Sequence, residues 1–182
     1  MENRRSKMTK KLIKEALIEL LSKEDLQHIS VKRICENADL NRSTFYLHYE
    51  TIEELLEEFT NEEMKQIWTS DKHDMSLSDY KETLNYILTK PDIFKVLLKT
   101  GMYHNYIMNQ YEKIDFLHHP KLSQLSKEAY LLICSYTTSG TEQLLLYMLD
   151  HPNISNVNEI AETLYNMNAH AFSQIVYLSK GL

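Results

Sequence analysis

Six polar residues crowd between positions 41 and 48: Asn41, Arg42, Ser43, Thr44, Tyr46 and His48. Each can form hydrogen bonds, and none is a carboxylate. Phe45 and Tyr49, four residues apart, supply an apolar side for the same short segment. A helix from Arg42 to about Tyr49, capped by Asn41, buries those two rings and turns the polar set outward. The chemistry that set can do is recognition of nucleic acid. Arg42 suits the bidentate contact to guanine, the commonest specific pairing in a major groove. Ser43 and Thr44 reach bases or phosphates, and Tyr46 and His48 lie where phosphate oxygens would run. A plain polar helix on a helical bundle would present the same residues, so the surrounding elements must discriminate.

Those elements have the pattern of a helix-turn-helix. The first helix runs from about Lys7 to Ser22, with Leu12, Ile13, Ala16, Leu17, Leu20 and Leu21 forming a buried stripe. Ser30 stands where an N-cap should, and Val31, Ile34, Cys35 and Ala38 form the inner face of the second helix. That helix must be small where it meets the third, which Cys35 and Ala38 satisfy. Asp39-Leu40 supplies a tight turn with an apolar plug. A major groove about 12 Å wide admits a helix such as the third.

Charge points the same way. The whole chain is acidic at −6, yet residues 1–50 hold ten Lys/Arg against eight Asp/Glu and the remainder holds ten against eighteen. All four arginines, Arg4, Arg5, Arg33 and Arg42, lie within the first 42 residues. A basic head on an acidic body suits a nucleic-acid module fused to something else, and a solvated basic tail is the bland alternative.

The rest of the chain is helical as well. Gly 3 and Pro 3 in 182 residues fall far below the roughly 12% these types usually supply together, which excludes turn-rich β folds and phosphate-cradling glycine loops. Thr51 caps a fourth helix to about Thr69, and Glu53, Glu54, Glu57 and Glu58 place negative charge near its positive end. Helices follow at about 78–89, 91–99, 103–117, 124–150 and 156–179, divided by a loop at 71–74, by Gly101, by His118-His119-Pro120 and by His151-Pro152-Asn153. No apolar run approaches the ~18–20 residues of a membrane span, and no signal peptide is evident. Cys35 and Cys134 sit inside apolar helical patterns, which suits buried thiols in a reducing cytoplasm. The histidines are scattered without metal-ligand spacing, and no serine has a nucleophile-elbow context. Neither a catalytic residue nor a metal nor a cofactor is expected.

The stretch Ile29 to Tyr49 resembles the DNA-binding motif of TetR-type repressors. It carries Ser30-Val31, Ile34-Cys35, Ala38-Asp39-Leu40-Asn41 and then Thr44-Phe45-Tyr46-Leu47-His48-Tyr49. The detailed match covers residues 7–60. More weakly, Ile133 to Leu149 followed by Asn158-Glu159-Ile160-Ala161 is similar to the C-terminal domain of one regulator subfamily common in low-GC Gram-positive bacteria. The resemblance implies an all-α protein: an N-terminal three-helix helix-turn-helix domain (1–52), a connecting helix (52–69), and a helical effector-binding and dimerisation domain (53–182). It implies operator contacts from Arg4, Arg5, Lys7, Ser30, Lys32, Asn41, Arg42, Ser43, Thr44, Tyr46 and His48. The chain departs from the family pattern twice. Asp39 replaces the turn glycine, and Ile52 stands where a phosphate-binding lysine often lies; the arm Arg4-Arg5-Lys7-Lys10-Lys11 is placed to compensate.

The body holds many of the 12 tyrosines. A buried tyrosine needs a partner for its hydroxyl, and a lined cavity with polar tips would provide one. The expected lining is Tyr80, Leu84, Met102, Tyr103, Tyr106 and Tyr130. With no arginine after Arg42 to clamp a carboxylate or phosphate, the expected ligand is small, apolar or aromatic, and not strongly anionic. A two-fold dimer is expected through the last two helices. On the first, Ile133, Thr137, Gly140, Thr141, Leu144 and Met148 fall on one stripe; the second offers Leu164, Met167, Asn168, Ala171 and Ile175. The same stripe would serve equally as an intramolecular core. The reading is a cytoplasmic, homodimeric repressor that binds double-stranded operator DNA and is released by its ligand. The alternatives are a regulator answering to a protein partner or to no effector, and a helical adaptor that does not bind DNA.

Overall fold

Apolar side chains at three- and four-residue spacing drive every helix of this chain, and polar caps decide where most of them begin. The computed structural model describes residues 4–68, 75–113, 125–153 and 156–178, with only the backbone from residue 172 onward. Two sequence expectations, the loop at 71–74 and the turn at His118-His119-Pro120, lie outside these residues. In the head, α1 (Arg4–Leu21) buries Ile13, Ala16, Leu17 and Leu20. A single 3₁₀ turn, Leu26–His28, leads to α2 (Val31–Asn37), whose cap Ser30 accepts a hydrogen bond from the Arg33 amide at 3.4 Å. Asp39 then adopts a left-handed conformation, φ +53°, and the Leu40 amide donates to the Cys35 carbonyl at 2.9 Å. This is the usual way to stop a helix sharply, with an aspartate in the place glycine prefers.

The third helix, α3 (Arg42–Tyr46), is shorter than the sequence spacing predicts. Its last apolar residue, Tyr49, is carried by a turn in which the His48 and Tyr49 amides both donate to the Phe45 carbonyl, at 2.9 and 3.0 Å. Tyr49 is still buried, so the two-ring inner face survives without a continuous helix. Asn41 occupies the N-cap position but makes no side-chain cap; only its carbonyl accepts, from the Thr44 and Phe45 amides.

The fourth helix, α4 (Ile52–Ile67), starts at Thr51, whose hydroxyl accepts from the Glu54 amide at 3.1 Å while Glu54 accepts from the Glu50 amide at 2.6 Å. It buries Leu55, Leu56, Phe59, Met64 and Ile67. Its polar side is divided between two bodies. Glu58 reaches the head: Lys10 Nζ lies 2.8 Å away, Lys14 Nζ 2.7 Å, and the Tyr49 hydroxyl donates to it at 2.9 Å. Glu63 reaches the other way, accepting from the Tyr86 hydroxyl at 2.9 Å and from Lys90 at 2.8 Å.

The body consists of α5 (Leu77–Thr89), α6 (Pro91–Lys99), α7 (Met102–Glu112), α8 (Lys127–Asp150) and α9 (Val157–Leu178). A capping box, Ser76 with Asp79, opens α5, Pro91 takes the first turn of α6, and Ser126 caps α8. Helices α5 and α9 pack together, α7 lies on α8 and against α4, and α6 meets α1. One hydrophobic cluster runs without a break from Ile13 in the head to Leu164 in the body. Both cysteines are free and buried, and burial pushes the Cys134 thiol up to about 12. No strand occurs among the described residues.

Two outcomes follow from this packing. Burial opposes ionisation of Glu58, but its bonds from Lys10, Lys14 and Tyr49 outweigh that and hold the carboxyl down at about 2, against an ordinary value of 4.5. A depressed carboxyl contributes stability above its unfolded pKa and loses it as pH falls toward the folded one. Glu58→Gln is therefore expected to lower thermal stability at pH 7 by about 1–2 kcal/mol, discounted for partial exposure. Melting curves should show the gap between the two proteins closing between pH 4.5 and about 2. At the turn, Asp39→Gly is expected to raise stability by up to about 1 kcal/mol and Asp39→Val to lower it, because a β-branched residue tolerates positive φ worst. Urea titration checks both signs.

Candidate nucleic-acid interface and buried cavity

Packing of Phe45 and Tyr49 against the head leaves the other side of α3 outward. Arg42, Ser43 and Asn41 are exposed, Thr44 and His48 half-buried, and Tyr46 is 57% exposed with its ring edge-on to Phe45. Arg42 makes no ion pair among the described residues. Its basic neighbours on α2 are engaged: Arg33 with Glu24 and the His28 carbonyl, and Lys32 with Glu36 at 3.5 Å. Ser30 spends its oxygen on the cap and remains exposed. Leu47, just beyond α3, is 80% exposed. Sequence reasoning missed it, because an isolated leucine in a helical pattern reads as core.

The basic arm is thinner than its sequence suggests. Arg4, Arg5 and Lys7 are exposed at the start of α1. Lys10 is turned to Glu58 and lies 5.1 Å from the centre of the Tyr49 ring, and Lys11 pairs with Glu15 at 3.6 Å. Ile52 packs partly buried against the core, flanked by Glu50, Glu53 and Glu54, so α4 begins without a cation. A groove of about 1040 Å³ between α1, α4 and α6 contains these lysines and the carboxylates that neutralise them. It is a charged seam between head and body.

Inside the body lies a cavity of about 60 Å³. Of the expected lining, Tyr80, Leu84 and Tyr103 are there; Met102, Tyr106 and Tyr130 are not. The reason is helical register. Tyr103, Ile107 and Tyr111 form the inward stripe of α7, which leaves Met102 and Tyr106 one position round the helix. Tyr130 is buried one layer behind, its ring 6.3 Å from that of Tyr111. The cavity is closed on another side by Ile67 and Trp68, the C-terminal end of α4. Sequence reasoning missed Trp68, Tyr111, Thr138 and Asn168 as lining. Asn168 donates to the Tyr80 hydroxyl at 2.9 Å and to Thr141 Oγ1 at 3.4 Å.

The stripe expected at the dimer interface is largely interior. Thr137, Met148 and Leu164 are buried within the chain, and Thr137, Thr141, Leu164 and Asn168 line the cavity. Leu144 and Ala171 are half-buried, and the Ile175 side chain lies outside the described residues. Gly140 and Met167 do face outward, and among the described residues nothing beyond its own turn of helix lies within 4 Å of a Cβ placed on Gly140. Gly140 belongs instead with Leu132, Tyr136, Gln143 and Tyr147, all exposed along the adjoining face of α8. The alternative of an intramolecular core thus accounts for the original stripe. Among the described residues, no group of His, Cys, Asp or Glu could hold a metal, and no helix is long and apolar enough to cross a membrane.

Comparison with known proteins agrees with this geometry. Residues 13–59 match the family model described as bacterial regulatory proteins, tetR family. A curated relative, an uncharacterized HTH-type transcriptional regulator YxbF from Bacillus subtilis (strain 168), is 25% identical over 167 residues, 85% of this chain. The chain spans only 43% of the length of that relative. Among solved structures, a TetR transcriptional regulator from Streptococcus agalactiae 2603V is similar at a TM-score of 0.66 and 21% identity, over 91% of this chain and 96% of that one. The dihydroxyacetone kinase operon activator DhaS shares the fold at a TM-score of 0.51 and 19% identity, with the same coverage of both chains.

Proposed function

We propose, on the premise that this chain belongs through residues 13–59 to the tetR family of bacterial regulatory proteins, that it is a homodimeric, sequence-specific transcriptional repressor controlled by a small molecule. The observation that carries the reading is the outward side of α3, where Arg42 is exposed and makes no ion pair among the described residues while its basic neighbours on α2 are paired. Arg42 reads a base edge, and Tyr46, His48, Ser43 and Thr44 hold the phosphate track beside it. Arg4, Arg5 and Lys7 add non-specific attraction from the start of α1.

The dimer forms through the exposed face of α8 with Met167 of α9. Leu132, Tyr136 and Tyr147 supply apolar area, and Gly140 lets a second helix approach closely. Two-fold symmetry then places two recognition helices on half-sites ~34 Å apart, one turn of DNA.

Control runs along α4. Its C-terminal end closes the cavity through Ile67 and Trp68, and its N-terminal half is tied to the head through Glu58. A molecule that displaces Trp68 tilts α4 and changes the separation of the two heads. Linkage requires that DNA weaken ligand binding as much as the ligand weakens DNA binding.

Arg42→Ala is expected to cost about 1–3 kcal/mol on the cognate operator and to relax preference at one base pair per half-site. Tyr46→Phe and His48→Ala should weaken all duplexes more evenly. Gel shifts on the DNA flanking the coding region, with a salt titration and random DNA as reference, measure both; no loss for any of the three refutes the α3 assignment. A reporter gene behind that DNA should be silenced; activation instead overturns the repressor reading and resembles the operon activator DhaS. In sedimentation, Tyr136→Glu and Gly140→Leu are each expected to convert the dimer to a folded monomer, and a wild-type monomer at micromolar concentration refutes the interface.

A further inference from the structure

We propose that the body cavity takes a short, uncharged, hydroxyl-bearing molecule, an alcohol or polyol, in place of the apolar or aromatic ligand that the tyrosine-rich sequence suggests. The inference rests on the effector reading above and names the ligand class it requires.

Size comes first. The cavity holds about 60 Å³. An apolar protein cavity that accepts benzene measures ~150 Å³, so an aromatic ring does not fit without repacking. At ~10–15 Å³ for each probe-sized sphere, the space suits about four to six non-hydrogen atoms.

Polarity comes second. The lining contains Tyr80, Tyr103, Thr138, Thr141 and Asn168, which no apolar ligand would satisfy. The Tyr80 hydroxyl accepts from Asn168 Nδ2, and its own proton has no acceptor among the described residues. The Tyr103 hydroxyl has no hydrogen-bond partner among them, although the residue is only 6% exposed. Burial raises the pKa of both phenols, so each remains a donor. Asn168 spends its amide hydrogens on Tyr80 and Thr141, which leaves its carbonyl oxygen as an acceptor. These donors and this acceptor belong to residues that line one small space. A hydroxyl group answers both, whereas a ketone or ether answers only the donors.

Charge comes third. Among the described residues, no Lys, Arg, His, Asp or Glu lines the cavity. Behind Tyr103, one oxygen of Glu142 is buried without a partner among the described residues, and the other lies 3.1 Å from His104 Nδ1. That carboxylate adds to the pressure against ionising Tyr103, and it would oppose a bound anion in the same way. At the best efficiency known for very small ligands, a molecule of five non-hydrogen atoms binds no tighter than about micromolar.

Trp68 is the only tryptophan and lines the cavity, so its emission reports occupancy in the full chain. Ethylene glycol, 1,2-propanediol and glycerol are titrated against indole, methylammonium and acetate, with operator affinity measured on the same samples. The expected result is a saturable Trp68 change for at least one diol or triol, in the micromolar to millimolar range. It should weaken at least tenfold in Tyr103→Phe and in Tyr80→Phe; either variant suffices if the other fails to fold. Saturation by indole, methylammonium or acetate alone overturns the ligand class, and leaves effector control standing if that probe lowers operator affinity. No change with any probe, or equal changes in wild type and both phenylalanine variants, overturns the proposal. A diol that binds through Tyr103 without altering operator affinity supports the ligand class and refutes its role as effector.

Discussion

Helix α4 must belong to two bodies at once, and the rest of the structure depends on that constraint. Its apolar residues are part of one cluster shared by the head and the body. Its carboxylates divide: Glu58 holds Lys10, Lys14 and Tyr49, and Glu63 holds Tyr86 and Lys90. Each group draws on two or more elements, so neither forms unless the helices around it are already in place. Partly buried ion pairs of this kind contribute modest stability, yet they fix orientation, because a displaced helix leaves a half-buried charge without its partner. A displaced α4 would break contacts with both the head and the body.

The same arrangement redistributes the charge of the head. A count of lysines and arginines describes a basic arm, but Lys10 and Lys14 face α4 and Arg33 faces Glu24. What remains outward is a smaller set, and on the α3 side it is dominated by Arg42. Non-specific affinity follows the number of free cations, while discrimination follows the few side chains that reach base edges. On the proposed reading, withdrawing lysines into the seam favours the second over the first.

The body shows how polar residues survive inside a helical core. Thr137 bonds back to the Ile133 carbonyl and Thr141 to the Thr137 carbonyl, which hides their hydroxyls along α8. Asn168 links α9 to α5 through Tyr80. The phenols that this network does not satisfy surround a small void. Buried polar groups without partners are costly, and a bound hydroxyl or ordered water would relieve that cost.

Helix positions, most caps and the inner side of α3 were legible in the sequence, because each depends on residues within one or two turns of each other. Ser30, Thr51 and Pro91 act locally, and the Phe45–Tyr49 pair marks the inner side of α3 whether or not the helix continues to its end. The assignment of faces on α8 and α9 was not legible. Thr137, Gly140 and Thr141 fit one plausible stripe, and only the positions of α5 and α7 decide that the threonines turn inward and Gly140 outward. Likewise the aromatic count marked the body as unusual, but register on α7 selected Tyr103 and Tyr111 over Met102 and Tyr106. Local capping and spacing determine where helices run. Which side of a helix meets its neighbour is a long-range packing choice, and a period of 3.6 residues alone leaves it open whenever both sides carry apolar or small residues.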